Sequence, residues 1–363
     1  MNTNNYCIIM AGGIGSRFWP MSKTSKPKQF LDILGIGKTL LQQTFERFLK
    51  FCPPENIYIV TSIDYKSLVL EQLKGISPQQ VLLEPARRNT APCIAYASYK
   101  IGQKNPDAKF IVAPSDHLIL NIDDFHKEIE NGLDFVSENN ALLTLGIKPS
   151  RPETGYGYIQ IQDKKTKSKI ENLKKVKTFT EKPNLDLAKV FFQSGEFYWN
   201  SGIFLWSYSS INEAFEKHLP EVSSLFKEGI PVYNTQKESS FIQRTYSECR
   251  NISIDYGIME KAENVFVLCS DFGWSDLGTW SSLYENSEKD ENGNVVYGRD
   301  VFLYNSKNCI VNLPGKKAVV VNNLNGYIIV ESDNMLLICK KEEEQSIKQF
   351  VNDIKILKGE SYV

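Results

Sequence analysis

The chain has 363 residues, 42% hydrophobic and 23% charged, with 42 Lys and Arg against 43 Asp and Glu, a formal charge of −1. This length suggests two domains, or one large α/β domain with an appendage, and the balanced charge argues against a nucleic-acid or anionic-membrane binder. Seven cysteines without a C-x-x-C pair read as reduced core residues, and three histidines exclude a His-rich metal site. The start, Met-Asn-Thr-Asn-Asn, has no positive n-region, and no apolar run reaches 18 residues. The expectation is therefore a cytoplasmic chain without a signal peptide or membrane span.

The first predicted element is a buried strand from Tyr6 to Met10, and a glycine-rich turn, Ala11-Gly-Gly-Ile-Gly15, follows it. Arg17, Lys23, Lys26 and Lys28 come next. Glycines let backbone N–H groups approach an anion closely, and the cations would neutralise several phosphate charges at once. The ligand implied is a polyphosphate. The dinucleotide fingerprint G-x-G-x-x-G fails, because Phe18 stands where the third glycine belongs. Gly37-Lys38-Thr39 resembles the end of a P-loop, yet Asp32 occupies the leading glycine position. That stretch reads as a turn and helix cap before Leu40.

Helices are expected from Leu40 to Phe51, Tyr65 to Leu73, Ala91 to Ile101 and Asp124 to Val136. Strands are expected from Ile57 to Thr61, Val81 to Leu83, Lys109 to Ala113 and Leu142 to Leu145. This alternation predicts an α/β fold with a Rossmann-like, mostly parallel mixed sheet, whose ligands sit beyond the strands' carboxyl ends. The Lys-rich run over 163–177 reads as a solvated hairpin or loop. From about Asn294 closely spaced β segments predict a small β-rich C-terminal domain, without a long hexapeptide array, ending in a helix over 342–357. The polar run Asn286 to Asn294 marks the boundary, giving domains 1–288 and 289–363.

Several motifs occur in a fixed order: Gly12-Gly-x-Gly-x-Arg-x-Trp-Pro-x-Ser, Pro27-Lys-Gln-Phe30, Leu83-Glu-Pro85 with Asn89-Thr90, Pro114-Ser-Asp-His117, Thr154-Gly-Tyr-Gly-Tyr158, Glu181-Lys-Pro183, Trp199-Asn-Ser-Gly202, Ser253-Ile-Asp-Tyr256 and Trp274-Ser-Asp276. Together they resemble the mannose-1-phosphate guanylyltransferase family (GDP-mannose pyrophosphorylases) of the sugar nucleotidyltransferase superfamily. The resemblance runs from Tyr6 to about Lys355, with Phe18 where the family usually has Leu and Lys23 where it usually has Arg. Larger relatives add a cupin-like isomerase half, and no isomerase activity is expected here.

The resemblance implies GTP + mannose 1-phosphate → GDP-mannose + pyrophosphate, with Mg²⁺ as cofactor. Gly12, Gly13 and Gly15 would lend N–H groups to the nucleotide, with Arg17 and Lys28 as the main catalytic cations. Asp116, counted as catalytic too, would share the metal with Asp276, for which a cap before the Thr279-Trp-Ser-Ser-Leu helix is the lesser alternative. Guanine offers two donors on its Watson–Crick edge, so the carboxylate of Glu84 is the first candidate for base choice, with Asn89 and Thr90 completing the pocket. Gly155, Tyr156, Gly157, Glu181, Lys182, Asn200 and Ser201 would bind the sugar phosphate. Asp255 falls in a family-typical segment without a role of its own. The expected partners are GTP, mannose 1-phosphate and a second copy of the chain, with no nucleic acid and no membrane. Two alternatives stay open: a sibling enzyme using another base or hexose, and a non-catalytic GDP-mannose-binding regulatory subunit.

Overall fold

The computed structural model describes residues 2–162 and 168–363. The start of the expected Lys-rich loop, 163–167, lies outside them, and the end of that run belongs to the strand Leu173–Glu181. The chain forms two compact units. The first comprises Met1–Gly12, Thr44–Ser115 and Ile119–Trp274, and the second Gly13–Gln43, Asp116–Leu118 and Ser275–Val363.

This division differs from the one expected at 288/289. The unit holding the C-terminal strands begins at Ser275 and takes in two earlier segments. The reason is a shared core: Phe18, Trp19, Ile33, Leu40 and Leu118 pack with Leu277, Trp280 and Leu283 and with Ile310, Ile328 and Val330. Each such fully buried side chain is worth about 1.5–3 kcal/mol, which outweighs any boundary drawn by polar composition.

The first unit is built on a nine-stranded sheet. Its order is Val81–Glu84, Ile57–Ser62, Asn5–Met10, Lys109–Pro114, Phe197–Ser207, Leu142–Ile147, Val265–Ser270, Leu173–Glu181 and Gly157–Ile161. The first four strands are parallel, as the alternating pattern predicts. Cys7, Ile8 and Ile9 are wholly buried, as befits a strand covered on both faces. Phe197–Ser207 then runs antiparallel to both its neighbours, which makes the sheet mixed. Helix Thr90–Lys104 buries almost every residue from Ala91 to Gly102. Its run of small and apolar residues on all faces lets it lie inside the unit rather than on its surface.

The second unit ends in a short parallel solenoid. Val295–Tyr297, Ile310–Asn312 and Tyr327–Ser332 stack in parallel, and Met335–Lys340 closes the sheet antiparallel. Val301–Tyr304 pairs in parallel with Val319–Asn322. Val301 lies beside Val319 and Ile310 beside Ile328, so one offset of 18 residues recurs. The turns repeat with it: Asn305 and Asn323 are both left-handed, as are Asn308 and Gly326. Asn and Gly are the residues that tolerate this conformation most readily. The repeat recurs too few times to show as a long array in the sequence. The terminal helix forms as Ile347–Lys358 after a tighter turn, Lys341–Ser346.

Candidate active site

In the second unit the glycine-rich turn is held by its carbonyls. Gln29 Nε2 donates to Gly13 O at 2.9 Å, and Ser22 Oγ donates to Ile14 O at 2.7 Å. Among the described residues the N–H groups of Gly13, Ile14 and Gly15 donate no hydrogen bond. Gly15 is left-handed, with φ of +67°, and a Cβ there would lie 2.6 Å from Lys28 Cβ. Only glycine fits that approach. The next turn, Ser16–Phe18, buries Phe18 against Trp280 at 4.9 Å between ring centroids. The free amides are donors of the kind an anion requires, and Arg17 Nε is a buried polar atom without a partner.

Lys28 is buried, and its ammonium is fully committed. It donates to Asp276 O at 2.7 Å and Leu277 O at 3.0 Å, and it pairs with Asp116 Oδ2 at 2.8 Å. Three acceptors match its three protons. The resemblance implies that this charge serves phosphates, and in the structure it is paired with Asp116. Lys28 thereby brings Asp116 to the Asp276–Leu277 turn, a meeting the sequence alone does not reveal. Burial by itself would raise the Asp116 pKa, but Lys28 and His117 beside it hold the carboxyl below its ordinary value. Asp276 is not the helix cap, since Thr279 and Ser282 cap that helix reciprocally. Its Oδ1 instead accepts from Gly278 N at 2.8 Å.

Among the described residues no cluster of three or more His, Cys, Asp or Glu side chains is placed to hold a metal. Asp116 and the turn that carries Asp276 meet at the Lys28 ammonium, and carboxylates of this kind suit Mg²⁺. That ion prefers hard oxygen donors and commonly takes one or two carboxylates, with water and substrate phosphates filling the rest of its shell.

Gly37-Lys38-Thr39 proves to be a turn and cap rather than a phosphate loop. Asp32 accepts from Ile36 N and Gly37 N, and Thr39 exchanges hydrogen bonds with Gln42 at the start of helix Leu40–Phe48.

The base-side residues lie in the first unit. Glu84 ends its strand and is buried, with Oε1 accepting from Tyr246 Oη at 2.9 Å. A Cβ on Gly12 would lie 3.2 Å from Glu84 Oε2, so the two are neighbours at the sheet's carboxyl edge. Burial pushes the Glu84 carboxyl up to about 7, with Tyr246 and Arg87 pulling the other way. Tyr246 is the partner sequence reasoning misses, because 162 residues separate the pair. Asn89 caps helix Thr90–Lys104 from a left-handed conformation, and Thr90 Oγ1 accepts from Ile254 N at 2.8 Å. Both expected pocket residues thus also set the loop's shape.

The sign of the Glu84 effect on stability follows from its raised pKa. The protonated form is favoured in the folded state, so its contribution is complete below the unfolded value near 4.5 and is lost as pH rises through about 7. Glu84→Gln should flatten the decline in thermal stability across that window. An unchanged slope in a pH series of melting curves would contradict the burial described.

The sugar-side residues also lie in the first unit. Gly157 pairs with Glu181 across two strands, and a Cβ on it would lie 2.4 Å from Glu181 Oε2. A side chain there would push the Glu181 carboxylate aside. Lys182, left-handed at φ of +49°, donates to Glu181 Oε1 at 2.6 Å. Gly155 N donates to Glu153 Oε1, and the Tyr156 ring packs edge-on against Trp199 and Trp274 at 5.1 Å each. Asn200 Oδ1 accepts from Gly202 N and Thr144 Oγ1, while its Nδ2 donates to Asp255 Oδ1 at 2.8 Å.

Ser201 departs from the expectation. It is 1% exposed, its hydroxyl donates to Leu145 O at 2.7 Å, and it accepts from Ile203 N at 3.2 Å. Successive side chains of a strand point to opposite faces, so Ser201 turns away from the side to which Asn200 points. The irregular register opposite Thr144 and Gly146, together with the left-handed Gly202, locates the bulge that aims Asn200.

No helix of the described residues is long and apolar enough to cross a membrane. Residues 6–293 match the model of the nucleotidyl transferase family. Mannose-1-phosphate guanylyltransferase of Klebsiella pneumoniae is 36% identical, over 96% of this chain and 73% of that protein. The alginate biosynthesis protein AlgA of Pseudomonas putida is 36% identical, over 96% and 71% respectively. A crystal structure of mannose-1-phosphate geranyltransferase from Thermus thermophilus superposes with a TM-score of 0.87 at 28% identity, covering 97% of this chain and all of that one. By the family model over most of the chain and by these relatives, the chain belongs to the nucleotidyl transferase family and, within it, to the mannose-1-phosphate guanylyltransferases.

Proposed function

We propose that this chain transfers GMP from GTP to α-D-mannose 1-phosphate, releasing pyrophosphate. The observation that carries the reading is the glycine turn with its undonated N–H groups, whose Gly15 packs against Lys28 of the Lys28–Asp116 pair. A sugar phosphate has a second pKa of about 6 and is mostly dianionic at neutral pH, so the nucleophile needs no general base. One of its oxygens attacks the α-phosphorus of GTP, and the bond to the pyrophosphate oxygen breaks in line. Bringing two polyanions together is the obstacle, which makes positioning and charge neutralisation the work of the protein.

In this reading Gly12, Gly13, Gly15 and Arg17 receive the phosphates, and Lys28 keeps Asp116 ionised and in place. Asp116 and Asp276 would hold Mg²⁺, which supplies further neutralisation of phosphate charge. Glu84, Asn89 and Thr90 face guanine. Gly155, Tyr156, Gly157, Glu181, Lys182 and Asn200 serve the hexose phosphate, and Ser201 is set aside as structural. The regulatory-subunit reading is disfavoured because Arg17, Lys28, Asp116 and Asp276 are all retained. We place the chain in the cytoplasm as a homodimer, and the exposed Leu336 and Ile338 on the edge strand of the solenoid support self-association.

A side-by-side assay of GTP, ATP, UTP and dTTP with mannose and glucose 1-phosphates tests the assignment. GTP with mannose 1-phosphate should give the highest kcat/KM. Preferred turnover of dTTP with glucose 1-phosphate would overturn it. Binding of GDP-mannose without any pyrophosphate release would instead favour the regulatory subunit.

A further inference from the structure

Asp255 begins a single π-helical turn, Asp255–Met259, a feature that appears mostly as a local insertion and often at functional sites. The residues before it are knitted to the base-side loop. Ile252 N donates to Arg88 O, Ala91 N donates to Ile252 O, and Ile254 N donates to Thr90 Oγ1. On its other side Asp255 Oδ1 accepts from Asn200 Nδ2 at 2.8 Å. The oxygen of that amide already receives Gly202 N and Thr144 Oγ1. The Asn200 amide is therefore fixed in one orientation, with one N–H remaining.

The surroundings of Asp255 are those of a site rather than a core. Burial, then the Glu181 carboxylate facing it, raises the Asp255 carboxyl to about 6, with Asn200 and Lys182 opposing. Glu181 in turn lies over Gly157, whose missing side chain makes room for it, and it holds the left-handed Lys182. A non-glycine residue in that conformation is a form of local strain that concentrates at functional sites.

We propose that Asp255 is a positioning residue for hexose recognition, acting through Asn200, whose amide it orients toward the sugar. This rests on the reading of Asn200 and Glu181 as hexose-binding groups. The bond from Ile254 to Thr90 ties the same segment to the base-side loop, so the sugar-reading amide and that loop are set by one piece of backbone.

Steady-state kinetics of Asp255→Ala, Asp255→Asn, Asn200→Ala and the double variant Asp255→Ala/Asn200→Ala test the proposal. Asp255→Ala should raise the KM for mannose 1-phosphate about tenfold or more, as loss of a charge-assisted hydrogen bond implies, with the KM for GTP within about twofold. Asp255→Asn keeps an acceptor oxygen and should retain most of the sugar affinity. In the double variant the effect should be far smaller than the product of the two single effects. Should Asp255→Ala fail to fold, Asp255→Ser takes its place in the same cycle. If Asn200→Ala raises the sugar KM and the Asp255 variants do not, or if the two effects multiply fully, the positioning role is overturned. If Asn200→Ala itself leaves the sugar KM unmoved, the hexose reading of Asn200 falls, and this proposal with it.

Discussion

Lys28→Ala is expected to lower kcat/KM by about a hundredfold or more, because Asp116 loses the cation that holds it in place and a shift of about 1 Å at a reacting centre costs that much. The structure adds a second consequence. Lys28 is the cation paired with the largely buried Asp116, and it also ties the Asp276–Leu277 turn through two carbonyls. Removing one partner of a buried ion pair costs about 3–5 kcal/mol, because the other charge is left uncompensated. The melting temperature should therefore fall together with activity. The Asp116 carboxyl, now held below its ordinary value chiefly by Lys28 acting against burial, should titrate at higher pH in the variant. The acid limb of the activity profile should move upward accordingly. Near-wild-type kcat/KM with an unshifted profile would contradict the role given to this residue.

Gly15→Ala is the second substitution with a large expected effect. The left-handed backbone costs a non-glycine residue about 1–2 kcal/mol. The added Cβ would also sit 2.6 Å from Lys28 Cβ, at the root of that side chain rather than at a flexible end. Either the turn or Lys28 must move, and the donor set moves with it. Activity should drop about tenfold or more, since displacements of about 1 Å at a reacting centre are costly. Gly13→Ala is the matched control for stability. Its Cβ would meet nothing within 4 Å, so its melting temperature should stay at the wild-type value. Equal melting temperatures for Gly15→Ala and wild type would show that the Lys28 contact is not as tight as described.

Much of the first unit is legible along the chain because its contacts are local in pattern. Asn5–Met10 and Thr90–Lys104 declare themselves, to within a few residues, by apolar runs of the right length, whereas the capping role of Asn89 is seen only in the structure. The glycine turn is legible for the same reason, since its conformational demand is written in glycines. What escapes is whatever depends on distant residues meeting. The Lys28–Asp116 pair spans 88 positions of sequence, and nothing in the Pro27-Lys-Gln-Phe30 motif says that its cation is already occupied. Ser201 and Asn200 are adjacent letters, and only the bulge and strand direction separate a site residue from a buried one. The solenoid's repeat is brief, and it surfaces only once strands are paired.

Bond exchange at the α-phosphorus of GTP, with mannose 1-phosphate as the nucleophile, can be followed by incubating the protein and Mg²⁺ with mannose 1-phosphate and GTP labelled at either the α- or the γ-phosphorus. The α label should appear in GDP-mannose and the γ label in pyrophosphate, with both products requiring the sugar phosphate. Transfer of the γ label to the sugar, or pyrophosphate released equally well without mannose 1-phosphate, would contradict this exchange.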